Sequence, residues 1–151
     1  MNPLKDIQEF HQKFGLAYEG PPRALDIDLA DFRAKFGKEE IDEYQTHNDQ
    51  AVKTEVSDRA NYSFHLEHVL DALVDQMYVL MGTLYMHGMW MEFPEAWRRV
   101  HEANMKKVRA ESAEQSKRGS TFDVVKPEGW TPPTHIDLVE INDRTAYRVA
   151  E

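Results

Sequence analysis

One stretch constrains this chain more than any other. Over residues 62–87 it carries Leu66, Val69, Leu70, Leu73, Val74, Met77, Val79, Leu80, Met81 and Leu84, and at helical spacing these fall on nearly every side. The pattern predicts a long helix stopped by Gly88. A helix that is apolar all round belongs in the middle of other elements. Yet Asp71 and Asp75 lie four residues apart on one of its faces. Burying two like charges costs several kcal/mol each unless something positive compensates. Residues 69–90 contain neither Lys nor Arg, so this helix brings no such compensation itself.

Around this segment the chain reads as helices and then a tail. Residues 2–14 form a short amphipathic pattern, with Leu4, Ile7, Phe10, His11 and Phe14 at helical spacing and Gly15 as a stop. Gly20-Pro21-Pro22 breaks the chain. A second helix is expected over residues 28–46, carrying Leu29, Phe32, Phe36 and Tyr44, followed by a polar connection to Ala60. A fourth is expected over residues 94–110, with Pro94 in its first turn. Beyond Glu111 the periodicity ends. Gly119, Lys126-Pro127-Glu128-Gly129-Trp130 and Thr131-Pro132-Pro133 read as an extended arm, with Val124-Val125 as a short strand at most. The expectation is a single all-α domain, with a helical core over residues 2–110 and a C-terminal arm over 111–151.

Composition removes whole classes of chemistry. With no cysteine there is no disulfide framework, thiol nucleophile, iron–sulfur cluster or Cys-based zinc site. A formal net charge of −9 repels phosphate at long range and argues against a nucleic-acid or anionic-membrane coat. The first residues hold no apolar secretory core, and the longest apolar-rich run falls short of the roughly 20 residues a membrane span needs. A cytoplasmic location is the expectation. No P-loop, G-x-G-x-x-G or G-x-S-x-G pattern occurs.

The acids are the informative feature. Glu39, Glu40 and Glu43 continue the angular sector of Phe32 and Phe36, so the apolar stripe of the second helix turns acidic in its later turns. Most Glu clusters are solvated faces. The Asp71/Asp75 pair shifts the balance towards a divalent cation held between two antiparallel helices. Hard oxygen donors without thiolates select Mg²⁺ or Mn²⁺. His65 and His68 offer a competing mixed His/carboxylate site, although no third histidine is at helical spacing to them.

Positive charge gathers elsewhere, at Lys106, Lys107, Arg109, Lys117 and Arg118 beside Gly119. These read either as phosphate clamps or as a basic helix end complementing the macrodipole. Asn104 is a candidate amide contact or an ordinary surface residue. Tyr78, one turn beyond Asp75, is suited to stacking on a base or to core packing.

Taken in order, these segments resemble the all-α NTP pyrophosphohydrolases, the MazG-like and phosphoribosyl-ATP pyrophosphohydrolase-like superfamily. Phe36-Gly37-Lys38-Glu39-Glu40-Ile41-Asp42-Glu43 is similar to its E-E-x-x-E element, and Asp71-Ala72-Leu73-Val74-Asp75 to its E-x-x-D element. Val100-His101-Glu102-Ala103-Asn104-Met105-Lys106-Lys107-Val108, Ser116-Lys117-Arg118-Gly119 and the segment from Val125 to Pro133 resemble a later helix and tail found in many phage-encoded members. The likeness spans roughly residues 4–135. One position departs: Ala72 stands where the family pattern has Glu, and Asp71 is the nearest acid.

The resemblance implies hydrolysis of an NTP or dNTP between the α and β phosphates, giving the monophosphate and pyrophosphate. It implies two or three Mg²⁺ (or Mn²⁺) ions on Glu39, Glu40, Glu43, Asp71 and Asp75. Glu39 or Glu40 would accept the proton of the attacking water. Tyr78, Asn104, Lys107, Lys117 and Arg118 would bind substrate, in a homodimer or homotetramer. A purine dNTP such as dGTP or dATP is the expected substrate, with phosphoribosyl-ATP or dUTP as alternatives. A non-catalytic helical protein binding a nucleotide or partner in the same acidic cleft is the reading from a different class.

Overall fold

The computed structural model describes residues 2–54 and 57–140, which fall into two compact units, residues 2–90 and 91–140. The first unit holds α1 (Pro3–Lys13), α2 (Ile27–Lys53) and α3 (Arg59–Met86). The second holds α4 (Phe93–Met105), a two-stranded antiparallel ribbon of β1 (Val108–Arg109) and β2 (Val124–Val125), a 3₁₀ turn at Ala113–Gln115 and the short α5 (Ile136–Val139). The all-α expectation holds.

Local chemistry starts and stops these helices. The Asp26 and Asp58 side chains accept from the backbone N–H groups of Leu29 (2.9 Å) and Asn61 (3.2 Å), capping α2 and α3. Pro3 and Pro94 sit in the first turns of α1 and α4, where a missing N–H costs nothing. Gly88 ends α3 at φ 72°, with Met89 N–H bonded back to the Leu84 carbonyl. A Cβ there would lie 2.7 Å from the Gly20 carbonyl oxygen and 2.8 Å from the Tyr18 ring, so both the turn and the approach of the preceding loop require glycine.

That loop straps the end of α3. Arg23 N–H donates to the His87 carbonyl, the Arg23 guanidinium to the Met86 carbonyl, and the His87 ring N–H to the Arg23 carbonyl. Carbonyls that a helix terminus leaves without partners are thereby satisfied.

α2 and α3 run antiparallel, as Arg33 meets Thr83, Glu40 meets Gln76 and His47 meets His65. Small residues line the seam: Ala51 and Ala72 are buried, and Gly37 approaches Val79. The Arg33 guanidinium crosses it, donating to the Thr83 hydroxyl and the Val79 carbonyl. α1 lies against α3 through Ile7, which is buried, a Phe10–Tyr78 edge contact (5.4 Å between ring centres) and His11 beside Tyr85 (5.1 Å). His11 is fully buried and its Nδ1–H donates to the Ile7 carbonyl (2.8 Å). Burial, with the nearby Arg33 charge adding to it against the carbonyl bond, lowers its pKa and keeps it neutral.

Two helix ends differ from the sequence expectation. α2 runs on to Lys53 rather than stopping near Thr46. Its buried stripe continues through His47 and Ala51, residues that carry too little apolar signal to be read as a helix face. α4 ends at Met105, short of Ala110, because Val108 and Arg109 pair with Val125 and Val124 instead. The expected short strand at Val124-Val125 therefore has a partner.

Gly82 sets the approach of α1 to α3. A Cβ there would stand 3.0 Å from both the Arg33 guanidinium and the His11 ring. Gly82→Val is expected to lower stability by about 1–3 kcal/mol through overpacking, read as a lower urea midpoint without loss of helical signal in the folded baseline.

Candidate active site

The acids of α2 and α3 come together along one side of the seam. Glu40 is the buried member, at 8% exposure, while Glu39, Glu43, Asp71 and Asp75 are exposed. The expectation of two aspartates sunk in an apolar helix is thus corrected. The apolar residues around them, such as Leu70, Val74 and Met77, are themselves exposed, so the aspartates lie at the edge of an uncovered face.

Two of these acids, Glu40 and Asp75, are perturbed by burial and by their neighbours. Burial raises the Glu40 pKa, and the charges of Asp75, Glu43, Glu39 and Asp71 raise it further. Burial likewise raises that of Asp75, followed by the charges of Asp71 and Glu43. Among the described residues, none of the ion pairs engages any of these five carboxylates. Lys38, next to Glu39, pairs with Asp42 instead. Arg33 is committed to Thr83 and Val79. Gln76 donates to the Glu40 main-chain carbonyl (3.2 Å), tying the two acid-bearing helices together at that level.

The chemistry of the donor set fits a hard divalent cation: oxygen ligands only, mutually repelling and uncompensated. Among the described residues no three His, Asp or Glu side chains are placed so as to enclose an ion. The helices bring the acids to one face without closing them on a point.

Tyr78 lies one turn beyond Asp75, packed edge-on against Phe10 and 36% exposed. The remaining candidates belong to the second unit. Asn104 is exposed, with its carbonyl accepting from Lys107 N–H (3.0 Å). Lys107 stands over the Trp130 ring at 5.6 Å. Trp130 donates its indole N–H to the Ala103 carbonyl (2.8 Å), anchoring the arm to α4 as its side chain permits. Arg118 pairs with Asp123 (2.8 Å), whose other oxygen accepts from Ser116 (2.7 Å). Lys117 is exposed, and among the described residues no ion pair engages it.

Sequence reasoning left His47 out of the His65/His68 pair. His47 lies four residues after Glu43 and reaches His65 and His68 from the opposite helix. Its spacing from Glu43 was the available signal, and an α2 ending near Thr46 excludes it.

Mutual repulsion has a thermodynamic sign. Unfolded, Glu40 titrates near 4.5, while in the folded, metal-free chain its pKa is raised. The group therefore disfavours the folded state increasingly as pH rises through 4.5 towards its folded pKa, and fully above it. In metal-free buffer, Glu40→Gln is expected to gain stability relative to the parent on going from pH 4 to pH 7. Urea midpoints at the two pH values check this; an equal difference at both would remove the repulsion.

No curated protein matches the chain. A sequence model of the PRA-PH family, phosphoribosyl-ATP pyrophosphohydrolase, matches residues 7–104, about two thirds of the 151 residues. The matched span includes α2 and α3 whole and every carboxylate of the acidic face. The chain therefore belongs to the phosphoribosyl-ATP pyrophosphohydrolase family, within the all-α MazG-like superfamily, and is a nucleotide pyrophosphohydrolase.

Proposed function

We propose that the chain hydrolyses a purine nucleoside triphosphate between its α and β phosphates, with a purine dNTP such as dGTP or dATP as first substrate. The observation that carries this reading is the five-carboxylate face of α2 and α3, which no ion pair among the described residues engages. Glu39, Glu40, Glu43, Asp71 and Asp75 would hold Mg²⁺, on which the family generally depends. A bound divalent ion supplies neutralisation of triphosphate charge and acidification of water.

The protein's own part is to position and to move a proton. Glu39 or Glu40 accepts the proton of the attacking water as its oxygen bonds to the α-phosphorus. The α–β anhydride bond breaks, and its electron pair leaves with pyrophosphate. Tyr78, partly exposed one turn from Asp75, would stack on a base. In the second unit Lys117 is exposed and, among the described residues, in no ion pair, whereas Arg118 is engaged by Asp123; Lys117, Arg118, Asn104 and Lys107 would contact substrate. Phosphoribosyl-ATP is the second reading, favoured by the family match; it shares the purine and the triphosphate.

A panel of NTPs, dNTPs and phosphoribosyl-ATP with Mg²⁺, read as pyrophosphate and monophosphate, separates the two substrates. Asp75→Asn and Glu43→Gln are each expected to lower turnover at least about a hundredfold, equivalent to roughly 2.7 kcal/mol in the barrier, while remaining helical. Chelation by EDTA abolishes turnover and Mg²⁺ restores it. Unchanged turnover in Asp75→Asn would exclude the metal-enzyme reading, whereas no pyrophosphate release from any nucleotide would leave nucleotide binding without catalysis.

The outer face of α3 supports a homo-oligomer. Leu70 (64% exposed), Met77 (59%) and Leu80 (68%) form a contiguous apolar strip on it, of the kind soluble monomers rarely leave uncovered. Twofold self-association would cover it with its own copy. Leu70→Glu and Met77→Glu are expected to reduce the sedimentation mass to that of one chain without loss of helical signal.

A further inference from the structure

α1 is 11 residues long, and an isolated helix shorter than roughly 12–15 residues is marginal in water. Its structure therefore depends on contact with α3, which runs through Ile7, Phe10 and His11. Two of these side chains are apolar. The third is a titratable ring placed where a charge has no outlet.

His11 is 2% exposed. Its Nδ1–H donates to the Ile7 carbonyl (2.8 Å), which leaves the lone pair on Nε2. That nitrogen is buried, and among the described residues no hydrogen bond reaches it. It faces Gly82: a Cβ there would stand 3.2 Å from Nε2 and 3.0 Å from the Arg33 guanidinium. The titratable groups around the ring are few. α2 contributes Arg33, and α3 contributes Tyr85, with its ring centre 5.1 Å away, and Tyr78 beyond Phe10. Glu19, on the loop after α1, bears on Tyr85, and Asp6 of α1 bears on Tyr78. Among the described residues no ion pair engages His11. A proton on Nε2 would thus bury a second cation near Arg33, with its new N–H facing no acceptor. Such a charge is strongly disfavoured, and the ring reaches water only if α1 moves with it.

We propose that α1 is a proton-sensitive clasp: in mild acid His11 takes up a proton, α1 leaves α3 and unravels, and the Tyr78 ring beside the acidic face loses its Phe10 cover. α2 and α3 stay paired, because Arg33 keeps its bonds to Thr83 and Val79, and Gln76 its bond to the Glu40 carbonyl. Above the ordinary imidazole value of 6.5 the ring is neutral whether docked or not, and the clasp is at full strength. As pH falls below 6.5 the undocked ring accepts a proton that the docked ring refuses. Docking then weakens by up to about tenfold per pH unit, until the lowered pKa of the docked ring is reached. Burial is the main cause of that lowering, and Arg33 adds to it against the Ile7 carbonyl bond. The clasp works in the same way whichever nucleotide is hydrolysed.

Amide hydrogen exchange on the full chain between about pH 7.5 and pH 5 tests this, each amide being referred to its intrinsic rate at that pH. α1 is expected to lose protection by up to about tenfold per pH unit below 6.5, while α2 and α3 keep theirs. In His11→Gln, which cannot titrate, α1 should be equally protected across the range. The His11 ring signals of the parent, followed by nuclear magnetic resonance, should titrate below 6.5 and on the same curve as the loss of protection. Flat α1 protection in the parent, a loss shared by α2 and α3, an equal loss in His11→Gln, or a His11 ring that titrates at or above 6.5 overturns the proposal. If His11→Gln fails to dock α1 even at the upper pH, the parent's ring titration set against its own α1 protection decides.

Discussion

Close approach of α2 and α3 is the constraint from which the rest follows. Ala51, Ala72 and Gly37 let the two backbones near one another, and Arg33 and Gln76 bond across the seam to main-chain carbonyls as well as to Thr83. Without that proximity Glu40 and Asp75 would sit on separate solvated surfaces, each with an ordinary carboxylate field. With it, burial and the charges of the neighbouring acids raise the proton affinity of Glu40 and Asp75. Packing thus holds together a charge arrangement that electrostatics alone would push apart, and a hard cation would relieve it.

The same geometry separates the duties of the helix faces. α3 gives one side to α2, a second to α1 through Gly82 and Tyr78, and leaves a third bare. The bare side is apolar and the edge beside it is acidic. The second unit meanwhile pairs part of its own charge, through Arg99 with Asp137 and Arg118 with Asp123.

The acidic stripe was legible because it is a matter of angle along one helix, and angle follows from residue number. Glu39, Glu40 and Glu43 on α2, and Asp71 with Asp75 on α3, could be assigned to faces before any packing was known. The depth of those faces could not. Asp71 and Asp75 looked buried because their neighbours are leucine, valine and methionine, yet those neighbours are exposed in the single chain. Glu40, between two other acids in sequence, is the one carboxylate that packing covers.

The sequence alone determined the helical class, the helix stops at Gly15 and Gly88, the absence of thiol chemistry and the hard-donor character of the site. These depend on local spacing, on turn chemistry and on which atoms the chain possesses. Tertiary structure decided that His47 joins His65 and His68 across two helices, that α2 continues through a polar stretch to Lys53, and that Val108 leaves α4 to pair with Val125. Each of these turns on contacts between residues 17 or more positions apart in the chain or on a stripe built from histidine and alanine, and neither leaves an apolar period in the sequence for a reader to find.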